Sequence, residues 1–109
     1  MYAPDIGDIV WLMFDPQAGH EQKGHRPALV LSPKKYNTKT GLMLCCPLTT
    51  QIKHYPFEVL IKQGDRENVA LADQIKNMDW QARKAQLKGQ ATTDELHQVR
   101  NKIKALLQL

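Results

Sequence analysis

No stretch of this chain stays apolar for long: the longest such run, residues 42–48, is only seven residues and already contains Pro47. Short strands are what such spacing permits. Runs of β-branched, aromatic and aliphatic residues at 9–14, 28–31, 42–48, 57–61, 69–72 and 82–87 each read as a strand, because these side chains suit a pleated, partly buried surface. Breakers separate them. Asp15-Pro16 and Ser32-Pro33 stop the first two, residues 17–25 form a polar loop with Gly19 and Gly24, and Asn37-Thr38-Lys39-Thr40-Gly41 has the chemistry of a turn. Short strands at this spacing predict a small antiparallel barrel or curled sheet. Trp11 and Phe14 read as its core, and Trp80 as part of an apolar cluster around a short turn near Asp79.

The last segment has a different period. Thr92-Thr93-Asp94-Glu95 matches the S/T-x-x-E capping box, and Leu96, Val99, Ile103, Leu106 and Leu107 then recur every three or four residues. A helix with one buried stripe is expected, covering the open side of the sheet, with His97 on its exposed side. The fold class expected is therefore mainly β, closed by a C-terminal helix.

With 109 residues the chain is read as a single domain, 1–109. Nothing in it approaches the roughly 20 apolar residues of a membrane-spanning helix, and its start lacks the basic and apolar pattern of a signal peptide, so a cytoplasmic location is expected. Cys45 and Cys46 are neighbours, too close for an ordinary disulfide and without CxxC spacing, which suits a reducing compartment. One is expected to point inward and the other outward.

Charge is uneven. From residue 16 to residue 57 the chain carries Lys23, Arg26, Lys34, Lys35, Lys39 and Lys53 against the single acid Glu21, while the remainder is nearly neutral. Such a segment suits an anionic partner such as nucleic acid, and equally the solvated face of an ordinary soluble protein. His20-Glu21-Gln22-Lys23-Gly24-His25 superficially follows the H-E-x-x-H zinc motif, but its histidines are five apart in a loop rather than four apart on a helix. No metal or other cofactor is expected. Phosphate-binding glycine loops and a Gly-x-Ser-x-Gly elbow are also absent from the sequence.

What remains is Glu21, Arg26 and Thr49. Glu21 is the only carboxylate in the basic segment and can accept a proton. Arg26, held by Pro27 where loop becomes strand, can aim a planar guanidinium at a phosphate. Thr49 ends a strand with a hydroxyl. Together they suffice for RNA transesterification, in which the 2′-OH attacks the neighbouring phosphorus. By themselves they also fit a surface salt bridge. A His20/His25 acid–base pair is the alternative within the same chemistry. Tyr36 in its polar stretch either stacks on a base or does not contact RNA.

The order of larger motifs is more specific. Tyr2-x-Pro4-Asp5-x-Gly7-Asp8-Ile9-x-Trp11, Phe14-Asp15-Pro16, Gly19-x-Glu21-Gln22-x-Gly24-His25-Arg26-Pro27-Ala28, Tyr36-Asn37-x-Lys39-Thr40-Gly41, Thr49-Thr50-Gln51, Tyr55-Pro56-Phe57-Glu58-Val59 and Val69-Ala70-Leu71-Ala72-Asp73-Gln74 run nearly end to end in one register. In this the chain resembles the MazF/PemK family of toxin endoribonucleases. The resemblance implies an SH3-like, CcdB/MazF-type curled barrel and the toxin of a type II toxin–antitoxin system. It further implies a ribosome-independent mRNA interferase, a homodimer and a MazE-type antitoxin. Glu21 and Arg26 take the family's catalytic positions and Thr49 that of its phosphate-binding threonine. RNA contacts are expected from His20, Gln22, Lys23, His25, Lys34, Lys35, Tyr36, Asn37, Thr50, Gln51, Lys53 and Asp73. PemK-type relatives use an Arg-x-Asp pair here replaced by Leu71 and Asp73, which favours the Glu21/Arg26 mechanism. His20 also departs from the pattern, as either an incidental loop residue or an RNA contact.

A rival of another class is a non-enzymatic, CcdB-like toxin that binds DNA gyrase. Fold cannot separate the two. The Glu21/Arg26/Thr49 set is unnecessary for gyrase poisoning, and the end Leu106-Leu107-Gln108-Leu109 lacks the Trp-Gly-Ile terminus of that toxin.

Overall fold

The computed structural model describes residues 1–13 and 24–109. Expectations that fall on Phe14, His20, Glu21, Gln22 and Lys23 lie outside the described residues. The elements run β1 (Asp8–Met13), β2 (His25–Val30), α1 (Lys34–Thr40), β3 (Leu42–Thr49), β4 (Glu58–Gln63), β5 (Arg66–Leu71), β6 (Lys76–Asp79), β7 (Gln86–Gln90) and α2 (Thr93–Leu107). Every strand pairing is antiparallel, in the order β4-β5-β3-β2-β1-β7. β6 pairs with the first half of β3, Leu42 lying opposite Asp79, and β5 pairs with its end, Thr49 opposite Val69.

The sheet curls far enough for its two edges to meet. Lys88 on β7 donates a 2.6 Å hydrogen bond to Gln63 at the end of β4. β4 and β5 form a hairpin through Gly64-Asp65, where Gly64 adopts the left-handed φ of 61° that such a turn requires. The expected antiparallel, curled architecture is therefore present.

Two apolar layers hold it. Ile9, Leu29, Cys46, Leu48, Val59, Ile61 and Ala70 pack on one face of the sheet with Val99 of α2. Val10, Leu12, Ala28, Val30, Met43 and Cys45 pack on the other with Trp80, while Tyr2 and Ala3 lie against that layer. Strand alternation sends neighbouring residues to opposite faces. Because both faces are covered here, both cysteines are buried, correcting the expectation that one would face solvent. Complete burial of a side chain such as Leu29 or Ile61 stabilises the fold by about 1.5–3 kcal/mol each.

α2 begins as its sequence predicts. Thr92 Oγ1 accepts from the Glu95 amide at 3.1 Å, and Glu95 Oε1 accepts from the Thr92 amide at 2.9 Å. Glu95 Oε2 also accepts from the Lys62 amide at 2.8 Å, satisfying a donor on the exposed edge of β4 and docking the helix there. Val99 is buried and His97 exposed as expected. The apolar stripe does not stay buried to its end, for Leu106 and Leu107 remain 45% and 55% exposed. No helix among the described residues is long and apolar enough to cross a membrane.

Two local expectations are corrected. Residues 82–87 were expected as one strand, whereas 80–85 make a turn between β6 and β7. Asp79 stabilises that turn by accepting from the amides of Gln81 and Ala82. β6 had no apolar signal because its residues Lys76-Asn77-Met78-Asp79 pair through backbone to an edge of β3. The turn expected at residues 37–41 is the second half of α1, closed by Gly41 at φ 75°. Thr38 and Thr40 bond back to the carbonyls of Lys34 and Tyr36, and Asn37 anchors the helix from inside.

Candidate functional site

Strand register brings Arg26 and Thr49 to one end of the sheet. Ala28 on β2 lies opposite Pro47 on β3, so extending that ladder by two residues directs Arg26 toward Thr49 on the same face. Leu48 lies opposite Ala70, and extending this second ladder directs Thr50 toward Asn68. Both pairs border an open groove of about 500 Å³ whose wall also includes Trp11, His25, Pro27, Gln51, Arg66 and Lys88. Arg26 is exposed, and its Nη1 donates to the His25 carbonyl at 3.1 Å. Thr49 Oγ1 accepts from the Gln51 amide at 3.1 Å, which shapes the chain as it leaves β3.

The groove is electropositive. Arg26, Arg66 and Lys88 line it, with no carboxylate among the described lining residues. Lys88 Nζ stands 5.1 Å from the centre of the Trp11 ring, and burial together with the nearby Arg66 charge holds its pKa below that of an ordinary lysine. His25 and Trp11 have ring centres 6.5 Å apart. This arrangement can bind a phosphate diester and offer it guanidinium, hydroxyl and imidazole groups.

A second hollow of about 580 Å³ adjoins the first through Thr49 and Gln51 and contains Lys53, Tyr55 and Glu58. The Glu58 carboxylate accepts from the Lys53 amide at 3.1 Å, fixing the segment that follows Thr49. Tyr55 donates to Asp73 at 2.7 Å, and this bond to a carboxylate raises the tyrosine pKa. Asp73 thereby holds Tyr55 beside the groove.

The expected RNA contacts thus divide into separate groups. His25, Thr50 and Gln51 surround Arg26 and Thr49, with Lys53 in the adjoining hollow. Lys34, Lys35 and Tyr36 sit on α1, and Tyr36 bonds Asn77, which lies opposite Leu44, five residues along β3 from Thr49. Tyr36 is half-buried, its hydroxyl accepting from Asn77 at 3.1 Å. Asn37, expected among the RNA contacts, is instead sealed inside the fold. It is 0% exposed, its amide donates to the carbonyls of Pro4 and Ser32, and its Oδ1 accepts from the Ser32 hydroxyl. Glu21, His20, Gln22 and Lys23 lie outside the described residues.

Sequence reading missed Arg66, Asn68 and Lys88 and assigned Trp11 to the core. Trp11 shares the face of Ile9, but at a level where the sheet wall has become polar. For Lys88 a signal existed, since a glycine such as Gly89 inside a strand marks a bulge or a close approach.

Solved structures share this architecture, a curled antiparallel sheet closed by a C-terminal helix. MazF from Deinococcus radiodurans superposes with a TM-score of 0.87 at 50% identity, both chains covered in full. A MazE–MazF complex from the same organism superposes with a TM-score of 0.88 at 44% identity, covering 100% of this chain and 99% of that one. In sequence, the endoribonuclease toxin MazF of Escherichia coli K12 is 54% identical over 106 residues, 97% of this chain and 96% of that protein. Residues 5–107 match the family described as PemK-like, MazF-like toxin of type II toxin–antitoxin system. The chain belongs to that family.

Proposed function

We propose that this endoribonuclease toxin cuts single-stranded mRNA in the groove around Arg26 and Thr49, sequence-specifically and without ribosome or metal. The observation that carries the reading is that Arg26 and Thr49, far apart in sequence, border one basic groove. Glu21 takes the proton from the 2′-OH. The 2′-oxygen then bonds to phosphorus as the bond to the 5′-oxygen breaks, and the departing oxygen takes a proton from water, leaving a 2′,3′-cyclic phosphate and a 5′-hydroxyl. Arg26 stabilises the charged phosphorane and hydrogen-bonds the leaving oxygen, while Thr49 holds a phosphate oxygen. A single strand is required because regular A-form geometry keeps the 2′-oxygen out of line with the leaving oxygen.

One domain, 1–109, carries this activity in the cytoplasm as a two-fold homodimer. Exposed Leu60, Leu106, Leu107 and Leu109 support a contact between copies. His25, Thr50, Gln51, Lys53 and Asp73 serve the RNA near the cut, with His20, Gln22 and Lys23 from the preceding segment. Lys34, Lys35 and Tyr36 serve a more distant stretch. A MazE-type antitoxin inhibits by covering the same basic path, so its inhibition is competitive with RNA and weakens with salt.

Replacing Arg26 by Ala tests the assignment. Cleavage should slow by at least about 100-fold, the scale for one donor to a developing oxyanion. Full activity of that variant removes Arg26 from the site.

A further inference from the structure

One wall of the groove has no part in the cleavage chemistry. Where β1 meets β7, Ile9 lies opposite Gly89 but Val10 lies opposite Leu87, leaving Lys88 as the extra residue of a bulge. Bulges re-aim side chains. This one sets Lys88 Nζ 5.1 Å from the Trp11 ring centre and 2.6 Å from Gln63 Oε1. Gly89 makes room for it: a Cβ there would stand 2.6 Å from Gln63 Nε2. Trp11 itself is half-buried, although Ile9 on the same face is completely buried under the layer that α2 closes. In the same groove Asn68 is buried, and its Nδ2 has no hydrogen-bond partner among the described residues. A buried donor without an acceptor is costly, and a large indole in a cationic, polar wall is an uncommon place for an aromatic ring.

We propose that Trp11, Lys88, Arg66 and Asn68 form a seat for one nucleotide that flanks the cleaved one. Trp11 is the stacking platform for its base, since every base presents a π-face to an aromatic ring. Lys88 and Arg66 take a phosphate of that nucleotide, Lys88 swinging off the indole as the base arrives. The Asn68 amide donates to a ring nitrogen or carbonyl on the base edge. The seat is separate from the scissile phosphate: β2 and β7 flank β1, so Arg26 and Lys88 lie two strand spacings apart, about 10 Å. The inference rests on the endoribonuclease reading and adds to it where substrate specificity is read.

The test uses an oligoribonucleotide spanning a cut site mapped from the 5′ ends of cleaved transcripts, with 2′-deoxyribose at the cleaved position so that it binds uncut. An abasic residue is then moved through the flanking positions. At one position wild-type protein should lose about 5- to 100-fold in affinity. Trp11→Leu should bind the parent oligonucleotide weakly and lose nothing further at that position. Lys88→Gln should lower the slope of log affinity against log salt by about 0.7, one phosphate contact on a single strand. Trp11→Leu risks its fold, so wild-type fluorescence gives an independent readout. The parent oligonucleotide should quench emission that Trp11→Phe lacks, and the oligonucleotide abasic at the seated position should not. Equal abasic losses in wild type and Trp11→Leu, an unchanged salt slope in Lys88→Gln, or quenching that ignores the abasic site would each overturn the seat. Failure of wild type to cut the all-ribose oligonucleotide would instead overturn the endoribonuclease reading.

Discussion

Replacing Asn37 by Ala separates a structural residue from an RNA contact within the same basic segment. The Asn37 amide donates at 2.9 Å to the Pro4 carbonyl and at 3.0 Å to the Ser32 carbonyl, and its Oδ1 accepts at 2.6 Å from Ser32 Oγ. Ser32 Oγ in turn accepts from the Leu44 amide, and the Asn37 carbonyl receives Trp80 Nε1 at 2.8 Å. One side chain therefore ties together the N-terminal segment, α1 and the end of β2. Alanine leaves buried groups without partners, at about 1–3 kcal/mol for each that water cannot reach. Allowing for partial relaxation, the loss should total roughly 3–5 kcal/mol, a large part of the about 5–15 kcal/mol that holds a domain of this size. Urea unfolding gives the value directly. In a thermal melt the same loss corresponds to roughly 12–40 °C, at about 4–8 °C per kcal/mol near this chain length. Lys35→Ala, two residues away and exposed, should stay within about 0.5 kcal/mol. RNA affinity of the folded fraction at low temperature should be unchanged by Asn37→Ala. A variant within about 1 kcal/mol of wild type that has lost RNA affinity would make Asn37 an RNA contact rather than a structural tie.

Burial pushes the Cys45 thiol up to about 11 and the Cys46 thiol up to about 12, so neither should react with a thiol reagent at pH 8 until the protein unfolds. The native state holds these protons after the unfolded chain, with thiols near 9.0, has begun to release them. Stability should accordingly fall as pH rises above about 9, and Cys45→Ala with Cys46→Ala should flatten that part of a urea-midpoint profile. Thr92→Ala removes the acceptor for the Glu95 amide and should cost about 0.5–2 kcal/mol in the same unfolding assay, whereas Thr92→Ser should restore most of it.

Local signals carried the strands and the last helix. Alternating or continuous apolar residues marked β1 to β5 because those strands supply both packed layers, and the Thr92/Glu95 pair marked the helix start because capping is a contact between near neighbours. α1 and β6 escaped for the opposite reason. Asn37 lies in a segment of turn-forming residues, and only long-range bonds to Pro4 and Trp80 make a helix of it. β6 gains its strand geometry from the edge of β3. In the site, Arg26 and Thr49 were legible through family resemblance, and the β2–β3 register supplies the physical reason that they meet. Arg66 and Asn68 were not legible, since curling of the sheet brings them to the groove from β5, and for Lys88 only Gly89 hinted at the bulge that turns it there from β7.

If the 2′-hydroxyl of RNA is the nucleophile at the Arg26/Thr49 groove, the two ends left by the cut carry its signature. An oligoribonucleotide containing a mapped site is incubated with purified protein in EDTA, and the fragments are weighed by mass spectrometry. The predicted result is a 2′,3′-cyclic phosphate on the upstream fragment and a 5′-hydroxyl on the downstream one. A 3′-hydroxyl paired with a 5′-phosphate, or RNA left intact in EDTA but cut when a divalent metal is restored, would contradict it.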